Sequence, residues 1–292
     1  MKKLAITITS VLILSACGGG DSSSPETITA PIVTQSPDTT SPINTQPTLG
    51  DTYTRVTTDQ GDQPQSSNTV HILYAVPSGN EDKGRDKNHQ LQTSILAANT
   101  WFNDISSGKQ LKLDLQDNGD VDITFWPMTE TNTELHQSDW FMRDTIEEKL
   151  KQMDWFNPDK LYVVYFEGSH QRSCGDASVN GGHMVGVYLH NATLNSAYDC
   201  SRNQFSANED SHGYVEHVLI HGVVHALGVS HTSDTGEDLM YAGSEAWDPE
   251  YVDLNNDDYF MHGDINKVDI LYSVFLIPND GDELPPLWRN ND

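Results

Sequence analysis

Three histidines in the stretch from Val218 to His231, VLIHGVVHALGVSH, stand at a spacing that suits metal chemistry. His221 and His225 are four residues apart, so on an α-helix they lie one turn apart on one face and can present imidazole nitrogens to the same ion. Gly228 follows three residues later. A glycine there can take the left-handed conformation that ends a helix, which would swing His231 back as a third ligand. Three protein ligands leave one tetrahedral position open, the arrangement of a catalytic rather than a structural zinc site.

The string from His221 to His231 resembles the signature of the metzincin family of zinc endopeptidases, H-E-x-x-H-x-x-G-x-x-H followed by a turn that carries a methionine beneath the metal. Asp238, Leu239, Met240 and Tyr241 stand where that Met-turn is expected. The departure is at Gly222. The family has glutamate there, the general base that takes a proton from the attacking water and passes it to the leaving amine. Laboratory inactivation is the alternative to natural divergence, but it would ordinarily place Ala or Gln here, because glycine inside a helix costs about 1 kcal/mol relative to alanine, so natural divergence is favoured. Glu216 lies almost two turns up the helix, about 9 Å along its axis, too far to substitute. Glu237, Asp238 and Glu245 flank the Met-turn and are better placed.

The elements that must position these residues can be read from the chain in order. Lys2 and Lys3, the apolar run Leu4 to Leu14 and the tetrapeptide Leu14-Ser15-Ala16-Cys17 resemble a bacterial lipoprotein signal, which implies cleavage before Cys17 and its lipidation. The resemblance, with Gly18 next, implies a lipid-anchored place in the bacterial cell envelope, on the outer membrane of a Gram-negative source. An ordinary signal peptide with an incidental cysteine is the alternative. Residues 17–66 are rich in Ser, Thr, Pro, Gln, Asp and Gly and are expected as a flexible linker. Residues 67–292 are long enough for one domain with a sizeable core.

Within that domain, Thr69 to Val76 reads as a first strand and His89 to Ile105 as a long amphipathic helix. Leu111 to Leu115 and Val121 to Trp126 read as two strands, Thr133 to Met153 as a second helix, and Lys160 to Phe166 and His183 to Leu189 as further strands. After the histidines, Asp264 to Phe275 reads as a final helix capped by Asp264. The family resemblance implies an α+β fold: a mixed, mostly parallel sheet with backing helices and the zinc helix closing it. It also implies that His183 to Leu189 is an antiparallel edge strand that binds peptide by strand addition. Coverage of that edge by the chain between Cys174 and Cys200 is the equal alternative.

With Cys17 lipidated, Cys174 and Cys200 remain as a pair, expected to be bridged in an oxidising compartment, with free buried thiols as the alternative. Asp253, Asn255 and Asp257 alternate as calcium ligands do, but Asp258 stands where an EF-hand loop needs glycine, which favours a solvated acidic loop. Sixteen basic against 43 acidic residues give a formal charge of −27. Such a surface repels phosphate backbones and anionic lipid, which argues against nucleic-acid partners and leaves the lipid anchor as the only membrane contact. It favours cationic partners. Three functions are consistent with these features: a weak or rescued metallopeptidase acting on peptides or proteins, a pseudopeptidase that keeps zinc and binds peptides or a partner, and a lipoprotein in which the histidines serve stability. The intact triad and the methionine turn disfavour the last.

Overall fold

A computed structural model describes residues 55–60, 68–179, 182–194, 200, 205–206, 208–233, 235–242, 248–286 and 288. The expected signal peptide, Cys17 and Glu245 lie outside the described residues. Residues 55–60, inside the expected linker, lie against the sheet: Val56 bridges Thr124, and Phe125 N donates to Val56 O.

Strands β1 (Val70–Ser78), β3 (Ile123–Thr131), β4 (Leu161–Ser169), β5 (Gly175–Ala177) and β6 (Met184–His190) form one sheet in the order β3-β1-β4-β6-β5. The first four are parallel, and β5 runs antiparallel to β6. The fold is therefore α+β with a mixed, mostly parallel sheet. Its central strands are apolar on both faces, as strands covered on both sides must be. Val70, Ile72, Tyr74, Leu161, Val163, Tyr165, Val185 and Val187 face one core, with helices α1 (Gln90–Ile105) and α4 (Tyr214–Ala226). Leu73, Ala75, Tyr162, Val164, Phe166, Met184 and Tyr188 face another, with α2 (Asn132–His136) and α3 (Met142–Leu150).

Four local expectations change. His183 to Leu189 is not the edge: as β6 it pairs in parallel with β4, and the antiparallel edge is β5, which starts directly after Cys174. Three residues are too few to show a strand period, so this edge left no sequence signal. The expected helix from Thr133 to Met153 is broken. Thr131 and Glu134 close a capping box at its start, and a 3-10 turn at Asp139–Phe141, with Asp139 at φ 48°, separates α2 from α3. The expected strand Leu111 to Leu115 narrows to β2 (Gln110–Leu111) with single bridges at Leu113 and Leu115. No helix forms over Asp264 to Phe275. Asp264 Oδ1 accepts from Asn266 N in a local turn, and Asp269 Oδ1 accepts from Met261 N and Leu271 N, so side chains take the bonds a helix would need. That segment ends in a 3-10 turn and in β7 (Leu276–Ile277), which pairs with β2.

Cys174 and Cys200 are bonded, 26 residues apart in sequence. Beneath the sheet, Lys160 is fully buried and its Nζ donates to Asp59 Oδ2 at 2.6 Å and to Asp114 Oδ2 at 2.7 Å. His71 Nδ1 lies 2.8 Å from the same Asp114 oxygen. Buried carboxylates are tolerated only when paired, so Lys160 holds this cluster, and with it residues 55–60, in place. Lys160→Ala is expected to destabilise the protein by about 3–5 kcal/mol, read from denaturant midpoints; a shift under about 1 kcal/mol would show that the pair contributes little.

Candidate metal centre

Helix α4 begins where Gly213 N donates to Glu216 Oε2 at 2.8 Å, half of a capping box. The other Glu216 oxygen accepts from Ser94 Oγ of α1, and that hydroxyl lies 3.0 Å from Tyr165 OH of β4. Glu216 is thereby committed to fixing the helix against α1 and the sheet, besides its distance from His221. At the other end Gly228 takes φ 107°; its N–H donates to His225 O and Val229 N donates to Val224 O, a Schellman termination. The chain turns there as the glycine predicts.

The turn brings His231 to the helix. His231 Nε2 lies 3.1 Å from His221 Nε2 and 3.1 Å from His225 Nε2. The other ring nitrogens fix the tautomers: His221 Nδ1 is 2.8 Å from Leu239 O and His225 Nδ1 is 2.8 Å from Val229 O. A carbonyl only accepts, so both Nδ1 atoms carry the proton and both Nε2 atoms present lone pairs. One proton on His231 Nε2 could satisfy only one of them. A cation satisfies all three, and tetrahedral Zn–N bonds of 2.0–2.1 Å place ligand nitrogens about 3.3 Å apart, close to the separations seen. The donor set fits zinc, with backbone carbonyls orienting two of the ligands. Burial holds His225 down at about 4 and His221 well below its ordinary value, with neighbouring imidazoles adding to the effect on His221, so the nitrogens stay neutral.

Met240 is fully buried in the core beneath this segment, and Thr232 N donates to its carbonyl. Asp238 shapes the turn: Oδ1 accepts from Met240 N at 2.7 Å, Thr232 Oγ1 and Tyr259 OH, and Oδ2 accepts from Leu254 N. It is spent on the turn rather than free to act as a base. Glu237 is exposed and does not line the cleft.

A cleft of about 400 Å³ opens over the histidines, lined by β5 on one side and by His217, His221, Gly222, His225, His231 and Tyr241 on the other. Gly222 is at the contact between helix and sheet. A Cβ on it would meet Val185 Cγ1 at 2.5 Å, and a Cβ on Gly175 would meet Val218 Cγ1 at 2.3 Å. The space a side chain at position 222 would enter is taken by Val185 of β6. The carboxylate that lines the cleft is Asp176, but it alternates with Gly175 and Ala177, which contact α4 or approach it. Its side chain therefore faces the opposite side of the sheet, towards Arg143 and Asp144 of α3. Sequence reading passed over His217, although it stands four residues before His221 and so on the same helix face. Its ring lies 5.7 Å from that of His221, and burial, with His212 nearby, lowers it to about 4.

In the acidic loop, Asp253 Oδ2 accepts from the N–H groups of Asp258, Tyr259 and Phe260, and Lys267 Nζ lies 3.7 Å from Asp258. Carboxylate oxygens of Asp253, Asp257 and Asp258 come within 4.8 Å of one another. Asp253 thus organises the loop through hydrogen bonds, and Asn255 and Asn256 supply its left-handed turn.

No family model and no curated protein matches the sequence. Among solved structures, the chain is similar to metalloproteinase-II from Bacteroides fragilis, with 12% identity and a TM-score of 0.33 over 65% of this chain and 52% of that one. It is also similar to wild-type OgpA from Akkermansia muciniphila, with 14% identity and a TM-score of 0.34 over 66% of this chain and 56% of that one. A catalytically inactive OgpA solved with an O-glycopeptide matches with a TM-score of 0.33. The chain spans about half the length of these proteins.

Two outcomes test this geometry. One zinc ion per chain is expected by titration calorimetry, with His225→Ala weakening uptake at least about 100-fold; unchanged uptake would place the metal elsewhere. Burial first, with Asp144 adding to it and Arg143 opposing, raises the Asp176 carboxyl to about 6. A raised carboxyl favours the fold at low pH and loses that contribution as pH climbs from its unfolded value, about 3.9, through about 6. Asp176→Asn should therefore stabilise the protein above pH 6 relative to the parent and gain nothing over it below pH 4, as read from melting temperatures across that range.

Proposed function

We propose that this chain is a metzincin-type zinc metallopeptidase homologue that takes peptides or proteins into the cleft over His221, His225 and His231, with hydrolysis weakened by the absence of a general base at Gly222. The convergence of three imidazole Nε2 atoms at the floor of an open cleft carries this reading. His221, His225 and His231 would hold the zinc, which supplies Lewis acidity towards a peptide carbonyl. The chain's own residues do the rest. Among the described residues β5 has no strand on its outer side, so its backbone is available to an extended peptide by strand addition. Tyr241 and neutral His217 offer polar atoms to a bound chain. The lipobox-like segment ending at Cys17 supports a place for this activity at the cell envelope.

A second reading, a pseudopeptidase that binds without cleaving, is favoured by one observation. No carboxylate among the described residues that line the cleft faces the histidines. The contact at Gly222 also argues for natural divergence. Removing a larger side chain without adjustment would leave a gap, whereas Val185 closes on the glycine.

Restoring the glutamate alone would drive its Cβ into Val185, so the test is the pair Gly222→Glu with Val185→Ala. With zinc bound, the double variant is expected to hydrolyse a mixed peptide library about 10²- to 10⁴-fold faster than the parent, and a chelator should abolish both rates. Parent rates equal to those of the double variant would mean that another group supplies the base. Peptide binding with no parent turnover selects the pseudopeptidase. Absence of both zinc uptake and peptide binding would sink the two readings together.

A further inference from the structure

The most open of the large apolar side chains are not scattered over this molecule. Trp140, Phe141 and Leu194 are 63%, 68% and 64% exposed, and among the other described residues only Ile265 is as open. The first three meet at one loop, residues 170–173 after β4. Arg172 Nε and Nη2 donate to Asp139 Oδ1 and Oδ2 at 3.0 and 3.2 Å, and the guanidinium carbon lies 4.3 Å from the centre of the Trp140 ring. Phe141 follows Trp140 in the same 3-10 turn. Gln171 Nε2 donates to His136 O at 3.1 Å, and Leu194 N donates to Gln171 O at 2.8 Å.

The aromatic turn is held, not loose. Asp139 takes φ 48°, a left-handed conformation that few residues other than glycine adopt, and its carboxylate is the group that Arg172 grips. Arg172 lies over the Trp140 ring as a cation on its π face, yet most of the indole stays in water. None of the three apolar residues joins either core. Exposed apolar groups gathered in this way mark a contact surface.

The neighbouring chain indicates what makes the contact. Ser173, Cys174 and Gly175 line the cleft, so the loop runs directly into the cleft wall. Gly175 pairs with Val187 and Ala177 with Val185, so the Gly175 end of β5 lies towards the carboxyl ends of β4 and β6, where the loop begins. A peptide added to the outer side of β5 and running past Gly175 therefore leaves the sheet beside Ser173 and Arg172. Three residues of chain reach at most about 11 Å, so Arg172 stands no farther than that from Gly175. Three or four further peptide residues, at about 3.3 Å each, cover the distance.

We propose that Trp140, Phe141 and Leu194 form a secondary contact for the peptide bound in the cleft, one that selects substrates with a bulky aromatic or aliphatic side chain just beyond the segment paired with β5. This rests on the reading of the cleft as a peptide site, and it adds a substrate class: extended segments with an apolar residue outside the cleft. Rigid aromatics supply much contact area with little rotamer freedom to lose. A bilayer surface also suits exposed tryptophan, but a chain of formal charge −27 is repelled by anionic lipid, and continuity with the cleft favours the peptide.

The test is fluorescence anisotropy on the zinc-loaded full chain with three labelled peptides of equal length that share one neutral central segment. One carries tryptophan and leucine before that segment, one carries them after it, and one has serine on both flanks. One of the two apolar-flanked peptides should bind at least about tenfold tighter than the serine-flanked one. Trp140→Ser with Phe141→Ser should bring the two to the same affinity, and Leu194→Ser alone should remove part of the margin, which keeps the test valid should the double variant misfold. Ile265→Ser, the same kind of change outside this loop, should leave the margin in place. A margin that survives the double variant, or falls equally with Ile265→Ser, would overturn the inference. Equal binding of all three peptides by the parent would overturn it while leaving the peptide site standing. No binding of any peptide would remove the peptide reading and this inference together. The bilayer is tested with phosphatidylcholine vesicles and chains carrying Cys17→Ser, so that no acyl chain contributes. Sedimentation lost on Trp140→Ser with Phe141→Ser, without change in peptide affinities, would give the turn to the membrane and overturn the inference.

Discussion

The structure depends on how closely helix α4 approaches the edge of the sheet. Gly175 and Gly222 provide that approach, since a methyl group at either point would occupy the space of a valine on the facing element. Overpacking of this kind costs roughly 1–3 kcal/mol, so the helix could not sit at this depth with larger residues unless its neighbours moved. The depth of α4 fixes His221 and His225 relative to β5, and so sets the width of the cleft. The contact that brings His221 and His225 beside β5, which has no outer strand among the described residues, is also the one that leaves no side chain at position 222. The placing of the histidines and the glycine at position 222 are two aspects of one packing solution.

Around that contact, polar residues fix orientation more than they contribute chemistry. Glu216, Asp238 and Asp253 are buried carboxylates, and each satisfies backbone N–H groups that loops and helix ends would otherwise leave unpaired. Leu239 O and Val229 O do for the imidazoles what these carboxylates do for the main chain. Each holds a ring in the tautomer that turns its free nitrogen towards the others. The methionine turn thus acts on the centre through a carbonyl one residue before Met240, while Met240 itself fills the core.

The convergence of the three histidines was legible because its signal is local. Histidines four residues apart on a helix, a glycine able to turn left-handed and a third histidine three residues on are set by short-range geometry, and the chain follows it. The long strands and α1 were legible for a similar reason, since burial on both faces or on one stripe leaves a periodic pattern. What escaped was set by distant contacts or by very short elements. Three residues of β5 carry no period. The break at Asp139 depends on one left-handed residue, and the irregular course after His262 depends on where Asp269 finds its donors. The packing of Gly222 against Val185 could not be read either, because glycine says only that a side chain is absent, not what stands in its place.

The bond between Cys174 and Cys200 joins the residue just before β5 to the far side of the chain that leads into α4. A cut in the backbone between β6 and Cys200 would leave two pieces still tied to each other, with the edge strand held by its ladder to β6 and by the sulfur link. A protein exposed to peptidases could be nicked in this segment and keep its cleft. The lesion would show only as two bands after reduction, where an unreduced gel shows one.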